Sequence, residues 1–139
     1  MISFTDDSVL ERFRLETEYD IVRIRQAVRL HGKAHGMGLI NQTRITTAAS
    51  EILRNMFVYA GGGEAVVALV QWDGALSLLV TCRDEGPGIA DISLAMTDGY
   101  STVKSMGGGL PGAKRLVDAM EIESAPGRGT TVQLVKRIS

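Results

Sequence analysis

Glu51 and Asn55 are the first residues whose types and spacing suit chemistry. They lie four residues apart in a segment whose apolar residues recur at steps of three and four, which predicts a helix over residues 41–59. Residues four apart stack on one helix face, so a carboxylate and an amide oxygen there can reach a common ligand. Oxygen ligands suit Mg²⁺, which usually keeps several waters and substrate phosphates. The spacing also fits a solvated pair at the rim of a core helix.

A second candidate site follows a predicted strand and begins at Asp84. A carboxylate at a strand end is suited to accept a hydrogen bond from an exocyclic amine. Gly86 and Gly88 follow at alternate positions and would let the backbone approach a flat ring closely. The same residues are also ordinary turn formers, so the motif alone leaves a simple turn open.

A third candidate is the glycine run Gly107, Gly108 and Gly109, followed by Leu110 and a predicted helix. A helix N-terminus offers free N–H groups and a positive dipole end, which together hold phosphate. Lys104, in the same loop, would add a mobile cation. No GxxxxGK[ST] motif occurs, and the glycines do not follow the first strand of a βαβ unit, which excludes Walker A and Rossmann sites. A flexible linker remains the alternative.

A fourth element, GRGTT at residues 127–131, enters the last predicted strand. Thr130 would either place a hydroxyl near a bound base or serve as a β-branched residue that begins the strand.

Periodicity and turn residues predict the elements that must position these side chains. The first half contains a strand at 13–18, a helix capped by Asp20 and ended by Gly32, and the helix at 41–59. Strands at 64–71 and 76–83 follow, joined by an Asp73-Gly74 hairpin turn, and then a long functional loop at 84–109. The last elements are a helix with Pro111 in its first turn and Ala113, Leu116, Val117 and Met120 on one face, and strands at 120–124 and 130–136. This order predicts an α+β sandwich with helices on one face of a mostly antiparallel sheet.

The bulk composition narrows the class of protein. With 139 residues, 45% of them hydrophobic, the chain predicts one domain over residues 1–139. The net charge of -1 gives no global attraction to nucleic acid or anionic lipid. The single cysteine, Cys82, has no disulfide or CxxC partner, which argues against structural zinc and favours a reducing compartment. No apolar window approaches a membrane span, so we expect a cytoplasmic protein, while its oligomeric state stays open.

Taken in order, the four candidate sites resemble the motif boxes of the GHKL (Bergerat-fold) superfamily of gyrase, Hsp90-type chaperones, histidine kinases and DNA-mismatch ATPases. The resemblance covers about residues 16–136. It implies a two-layer α/β sandwich with a mixed, mostly antiparallel sheet. Within the superfamily, the segments TAASEILRN (47–55), YAG (59–61), GYST (99–102) and GLPGAKRL (109–116) resemble the stressosome switch serine/threonine kinases, the RsbT type, among the anti-sigma factor regulatory kinases.

This resemblance implies transfer of the ATP γ-phosphate to Ser or Thr of a STAS-domain scaffold or anti-sigma-antagonist protein, which frees the kinase to engage a downstream phosphatase or other effector. It assigns Glu51 as the catalytic base and Asn55 as the Mg²⁺ ligand. The remaining nucleotide contacts are Asp84 at the adenine amine, Gly86 and Gly88 around the base, Thr130 supporting it, and Lys104, Gly107, Gly109 and Leu110 over the phosphates. Two residues depart from the family pattern, since Gly108 stands where a larger apolar residue is common and Val103 where Gly is common.

Two other classes use the same fold. The first is an anti-sigma factor that sequesters a sigma factor with little catalysis, which a sigma-binding assay would distinguish. The second is the ATP-binding part of a histidine kinase, which needs a phosphoacceptor histidine on a helical hairpin. His31 and His35 are the only histidines, and they lie near the end of the first predicted helix, where a surface or capping role is expected.

Overall fold

The computed structural model describes residues 1–88, 96 and 109–139. Within these residues, a short 3-10 turn, Asp6–Ser8, precedes three helices and five strands. In chain order these are β1 (Val9–Leu15), α1 (Glu18–Ala34), α2 (Leu39–Ala60), β2 (Gly63–Trp72), β3 (Ala75–Asp84), α3 (Gly109–Leu116), β4 (Ala119–Ser124) and β5 (Thr130–Arg137). Among the described residues, no helix combines the length and the apolar character that a membrane span requires.

The strands form one five-stranded sheet in the order β1-β2-β3-β5-β4. All four strand pairs in the described part are antiparallel, where the resemblance implied a mixed but mostly antiparallel sheet. The β2–β3 hairpin turns at Asp73 and Gly74, whose φ angles of 50° and 75° are both positive. Positive φ at both central residues is the type I′ geometry that an Asp-Gly pair favours, so the predicted hairpin is confirmed.

The main core lies between the helices and one face of this sheet. Helix α2 is its centre, because Ile45, Ala49, Ile52 and Met56 form the predicted stripe and all are buried. Alternate residues of the central strands, such as Val80 on β3, pack against this stripe. The α+β sandwich predicted from the sequence is thereby confirmed.

A smaller apolar cluster lies on the opposite face of the sheet, formed by Ala68, Val70, Leu79 and Val135. The N-terminal segment covers it, with Ile2 and Phe4 packed against the cluster. The buried side chain of Gln133 holds this segment in place. Its Oε1 accepts a hydrogen bond from the Ile2 N–H at 2.6 Å, and its Nε2 donates to the Ile2 carbonyl at 2.8 Å.

The first strand and the start of the first helix differ from the prediction. Strand β1 begins at Val9 and ends at Leu15, so the predicted strand at 13–18 was placed too late. Thr17, and not Asp20, is the N-cap of α1. Asp20 lies one turn inside and accepts hydrogen bonds from the backbone N–H groups of Glu16 and Thr17, both at 2.9 Å. Its carboxylate thus caps the helix from the N3 position, a role that composition alone does not separate from the N-cap.

Two helix ends also differ. Helix α1 continues through Gly32 to Ala34, because Gly36, and not Gly32, ends it: Gly36 has a φ of 91°, and the N–H groups of Gly36 and Met37 donate to the carbonyls of Lys33 and Gly32. Helix α3 ends at Leu116, so Val117 lies outside it and Met120 belongs to β4. Met120 instead pairs with Leu134 of β5, which confirms the predicted strand at 120–124 and corrects the predicted helix face. Most of the predicted functional loop at 84–109 lies outside the described residues, and its first residue, Asp84, ends β3.

Candidate functional site

Asp84 and Thr130 are brought together by the central strand pair. Asp84 is the last residue of β3 and lies directly opposite Thr130, the first residue of β5. Side chains alternate along a strand, so Asp84 faces the helical layer together with Val80 and Cys82. The second and fourth sequence motifs therefore form one site at the helix-facing end of the sheet.

The Asp84 carboxylate has one oxygen engaged and one available. Its Oδ1 accepts a hydrogen bond from the backbone N–H of Gly86 at 2.9 Å, which orients the side chain. None of the described residues donates to Oδ2. A half-buried carboxylate oxygen that is oriented but not satisfied is suited to accept a hydrogen bond from an amine of a bound ring.

Three glycines allow the segments around Asp84 to approach closely. A Cβ on Gly86 would lie 2.5 Å from the Cβ of Ala60, at the end of α2. A Cβ on Gly88 would collide with the carbonyl oxygen of Ala125, and one on Gly129 with that of Asp84. Gly88 and Gly129 also have φ angles of 78° and 77°, which favour glycine. These glycines are therefore required by close contacts between protein segments, whereas the predicted approach of Gly86 and Gly88 to a flat ring stays a prediction.

The Thr130 hydroxyl acquires a defined orientation through Ser124, which the sequence analysis did not single out. The Ser124 Oγ donates to the Gly129 carbonyl at 2.9 Å and lies 2.7 Å from the Thr130 Oγ1. A hydroxyl has one proton, so Thr130 is the donor in the second contact. The lone pairs of the Thr130 hydroxyl then remain available as acceptors, since no described residue donates to them. Ser124 is opposite Thr130 in β4, a register that only the folded sheet reveals.

Glu51 and Asn55 lie on the same face of α2, as the four-residue spacing predicted. Glu51 is only 5% exposed, whereas Asn55 is half-buried. The alternative that both side chains are solvated at the rim of the helix is therefore wrong for Glu51, while Asn55 remains accessible to a ligand. Asn55 precedes Ala60 by five residues, which places it about 7.5 Å along the helix from the Gly86 contact.

Helix α3 packs against α2 and brings a helix N-terminus to this side of the sheet. It begins at Gly109, whose φ is 66°, and continues through half-buried Leu110 to the buried Pro111. The positive end of the helix dipole at that terminus would suit phosphate. Lys104 and Gly107 lie outside the described residues, as do Gly108 and Val103.

The donor set fits a hard cation that is completed by other ligands. Within the described ranges, no group of three or more His, Cys, Asp or Glu side chains could hold a metal ion by itself. Asn55 offers an amide oxygen, with the Glu51 carboxylate one helical turn away, and Mg²⁺ can bind through so few protein ligands when phosphates and water supply the rest. Cys82 is excluded as a ligand, because burial, and then the charge of Asp84, raise the pKa of its thiol to about 12.

A groove of 640 Å³ also reaches Asp84, but from the β1–β2 side. The glycines at 61–63 form its floor, and Arg14, Glu64 and Arg83 are among its walls. It contacts neither Glu51, Asn55 nor Thr130, and its charges are mixed. We therefore do not assign the nucleotide to this groove.

Residues 40–138 match the family of histidine kinase-, DNA gyrase B- and HSP90-like ATPases. The chain belongs to this family, as the order of the four motifs predicted.

More specific likenesses support the kinase branch. Serine/threonine-protein kinase RsbT of Bacillus subtilis (strain 168) is 46% identical over 123 residues, which cover 88% of this chain and 92% of that protein. Anti-sigma F factor of Thermoanaerobacter sp. (strain X514) is 32% identical over 100 residues, 68% of each chain. The crystal structure of the RsbU and RsbW domains of a Mycobacterium tuberculosis protein matches in fold, with a TM-score of 0.62, 22% identity, and coverage of 91% of this chain and 32% of that one.

Proposed function

We propose that this chain is an ATP-dependent serine/threonine protein kinase whose substrates are STAS-domain scaffold or anti-sigma-antagonist proteins. The observation that carries the proposal is the oriented Asp84 carboxylate, which lies opposite Thr130 and is joined through Gly86 to the helix that bears Glu51 and Asn55. The similarity to a serine/threonine kinase over most of both chains supports it.

Each residue that the sequence analysis assigned to the nucleotide site has a role in this proposal. The Oδ2 of Asp84 accepts a hydrogen bond from the adenine amine, and Gly86 and Gly88 shape the base pocket, while the Thr130 hydroxyl supports the base from β5. The amide oxygen of Asn55 binds Mg²⁺ together with phosphate oxygens. The N-terminus of α3, from Gly109 and Leu110, holds phosphate, with Gly107 and Lys104 closing over it.

Glu51 acts as the base for the acceptor hydroxyl. Bound ATP supplies the γ-phosphoryl group, and most of the rate enhancement in such reactions comes from positioning and charge neutralisation. A carboxylate that is 5% exposed and one helical turn from the Mg²⁺ ligand can orient the hydroxyl and accept its proton. Loss of Glu51 should therefore reduce turnover while leaving nucleotide binding intact.

The partners follow from the same proposal. A cytoplasmic STAS-domain protein supplies the acceptor Ser or Thr, and phosphorylation frees the kinase to bind a downstream phosphatase or other effector. The second candidate is an anti-sigma factor or nucleotide-binding adaptor with little catalysis, which is favoured by the 32% identity to an anti-sigma F factor.

Calorimetry of ATP binding, with and without Mg²⁺, tests the proposal. Asp84→Asn should abolish detectable binding. The amide oxygen would accept the hydrogen bond from the Gly86 N–H, so the NH2 group, a donor, would face the adenine amine. Asn55→Ala should remove the Mg²⁺ dependence. Asp73→Asn, in the exposed β2–β3 turn, is the matched control and should bind like the wild type.

Phosphotransfer to a STAS-domain protein from the same genome separates the two candidates. Transfer to Ser or Thr that is lost in Glu51→Gln supports the kinase. Binding of ATP without transfer, together with binding to a sigma factor, supports the adaptor. Absence of nucleotide binding by the wild type would contradict both.

A further inference from the structure

Basic charge is segregated in one stretch of the chain. Residues 21–50 contain no Asp or Glu and carry five basic side chains, Arg23, Arg25, Arg29, Lys33 and Arg44. The whole chain has a net charge of -1, so the remaining residues carry -6. A segregation of this size within one small chain creates a strong local field that the net charge conceals.

The fold places this stretch in two helices that pack against each other, the α1–α2 hairpin. Arg25, Arg29 and Lys33 recur at four-residue steps and therefore follow one side of α1. Arg44 is exposed in the first half of α2. The next acidic residue, Glu51, is 5% exposed and contributes little negative charge to the surface.

These four cations have no ion-pair partner among the described residues. Arg23 differs, because it binds the carboxylate of Asp20 at 3.1 Å and is left out of the surface. Elsewhere, Arg12 and Arg14 on β1 bind Asp6 and Glu64. The basic side chains of the sheet edge are thus neutralised locally, whereas those of the hairpin are not.

Large apolar side chains are exposed among these cations. Leu30 is 64% exposed, Leu39 65% and Ile40 69%. In sequence they flank Arg29, Lys33 and Arg44, on the same two helices. Exposed aliphatic groups between unpaired cations match a protein surface better than a phosphate backbone, which offers no apolar counterpart at this spacing.

We infer that the outer surface of the α1–α2 hairpin, defined by Arg25, Arg29, Leu30, Lys33, Ile40 and Arg44, docks an acidic, partly apolar face of the acceptor protein. The inference rests on the proposed kinase function. It is also supported by continuity with the site, because Ile40 precedes Glu51 by three turns of one helix, about 16 Å. A partner held there lies beside the reacting groups without occupying the nucleotide site.

Charge reversal on the hairpin tests this docking surface. In Arg29→Glu/Arg44→Glu, the Kd for the purified STAS-domain acceptor should rise by about tenfold or more, because each change opposes an acidic partner. The KM for the acceptor should rise in parallel, while kcat and the Kd for ATP stay unchanged. Arg12→Glu/Arg14→Glu makes the same change in net charge on β1 and should leave all four quantities near the wild-type values.

A second variant tests the apolar part without altering charge. Leu30→Ser/Ile40→Ser should also weaken acceptor binding. Raising the salt concentration tests the charges, and it should weaken acceptor binding by the wild type more than acceptor binding by Arg29→Glu/Arg44→Glu. Acceptor binding by the charge-reversed hairpin that equals the β1 control would overturn the inference. The inference would also be overturned if Arg29→Glu/Arg44→Glu lost binding to duplex DNA or to phosphatidylglycerol vesicles while its binding to the acceptor stayed intact. A wild type that binds ATP but no acceptor would instead contradict the proposed function itself.

Discussion

At the scale of single residues, the site depends on which partner each polar atom already has. Asp84 uses one carboxylate oxygen to bind the Gly86 N–H, which fixes the direction of the other. Thr130 is oriented in the same way, since Ser124 already donates to the Gly129 carbonyl and must accept from Thr130. Both side chains are therefore preorganised by local bonds before any ligand is present.

Removal of the Thr130 hydroxyl tests this preorganisation. Thr130→Val keeps the β-branched shape but removes one acceptor facing the proposed base, so ATP binding should weaken by about 1 kcal/mol. Thr131→Val, the next residue of β5, is the control, because its side chain points to the other face of the sheet. Calorimetric Kd values for both variants give the comparison. Equal affinities would show that the Thr130 hydroxyl takes no part in nucleotide binding.

At the scale of elements, two helix ends show how local chemistry positions the hairpin that carries the site. Helix α2 ends at Ala60 and is capped by Gly61, which has a φ of 76° and donates its N–H to the carbonyl of Phe57. The start of helix α1 is capped by the Asp20 carboxylate, which accepts hydrogen bonds from two backbone N–H groups. Hydrogen bonds from Glu16 and Thr17, with a smaller contribution from Arg23, lower the pKa of Asp20 from 3.8 to about 2.

This lowered pKa predicts how stability depends on pH. A carboxyl whose pKa is lower in the folded state stabilises the fold fully above its unfolded pKa of 3.8, and this contribution is lost as the pH falls through about 2. Asp20→Asn should therefore have a lower Tm than the wild type at neutral pH, with the difference shrinking between those two pH values. Glu18→Gln removes an acid from the same turn and should show a smaller difference. A difference of constant size across this range would contradict the capping role.

At the scale of the whole molecule, the sheet has two covered faces with different roles. The helices cover one face and build the site, while the N-terminal segment covers the apolar cluster on the other. On that second face, the Gln133 side chain binds the segment through both of its amide atoms. The charge is also divided, with unpaired cations on the α1–α2 hairpin and a net negative remainder. The proposed nucleotide site and the proposed docking surface therefore both lie on the helical side, apart from the sheet's outer face.

The N-terminal segment is expected to stabilise the sheet. Phe4→Ser should lower the free energy of unfolding by about 1 to 2 kcal/mol, because a half-buried aromatic ring leaves the second apolar cluster. Ser3→Ala, at an exposed neighbouring position, should change it by no more than about 0.5 kcal/mol. Urea unfolding measures both. Equal stabilities for the two variants would show that the segment contributes nothing to the fold.

The sequence predicted the elements whose signals are local. The stripe of α2 and the Asp-Gly turn of the β2–β3 hairpin depend on residues close in the chain, and both are confirmed. Local signals were insufficient at Gly32 and Met120. At Gly32 the choice lay between two nearby glycines, and Gly36 is the one that adopts the left-handed conformation and ends α1. Pairing with β5 draws Met120 into β4, so there a contact between separate segments outweighed the helical spacing.

The sequence by itself determined the order and spacing of the motifs, and with them the family and fold. Only the tertiary structure decided that Asp84 lies opposite Thr130, that Ser124 orients the Thr130 hydroxyl, and that the cations of residues 21–50 lie on two helices packed together. The physical reason is that backbone preferences act over a few neighbouring residues. Strand register and the choice of buried and exposed side chains arise only when the whole core packs.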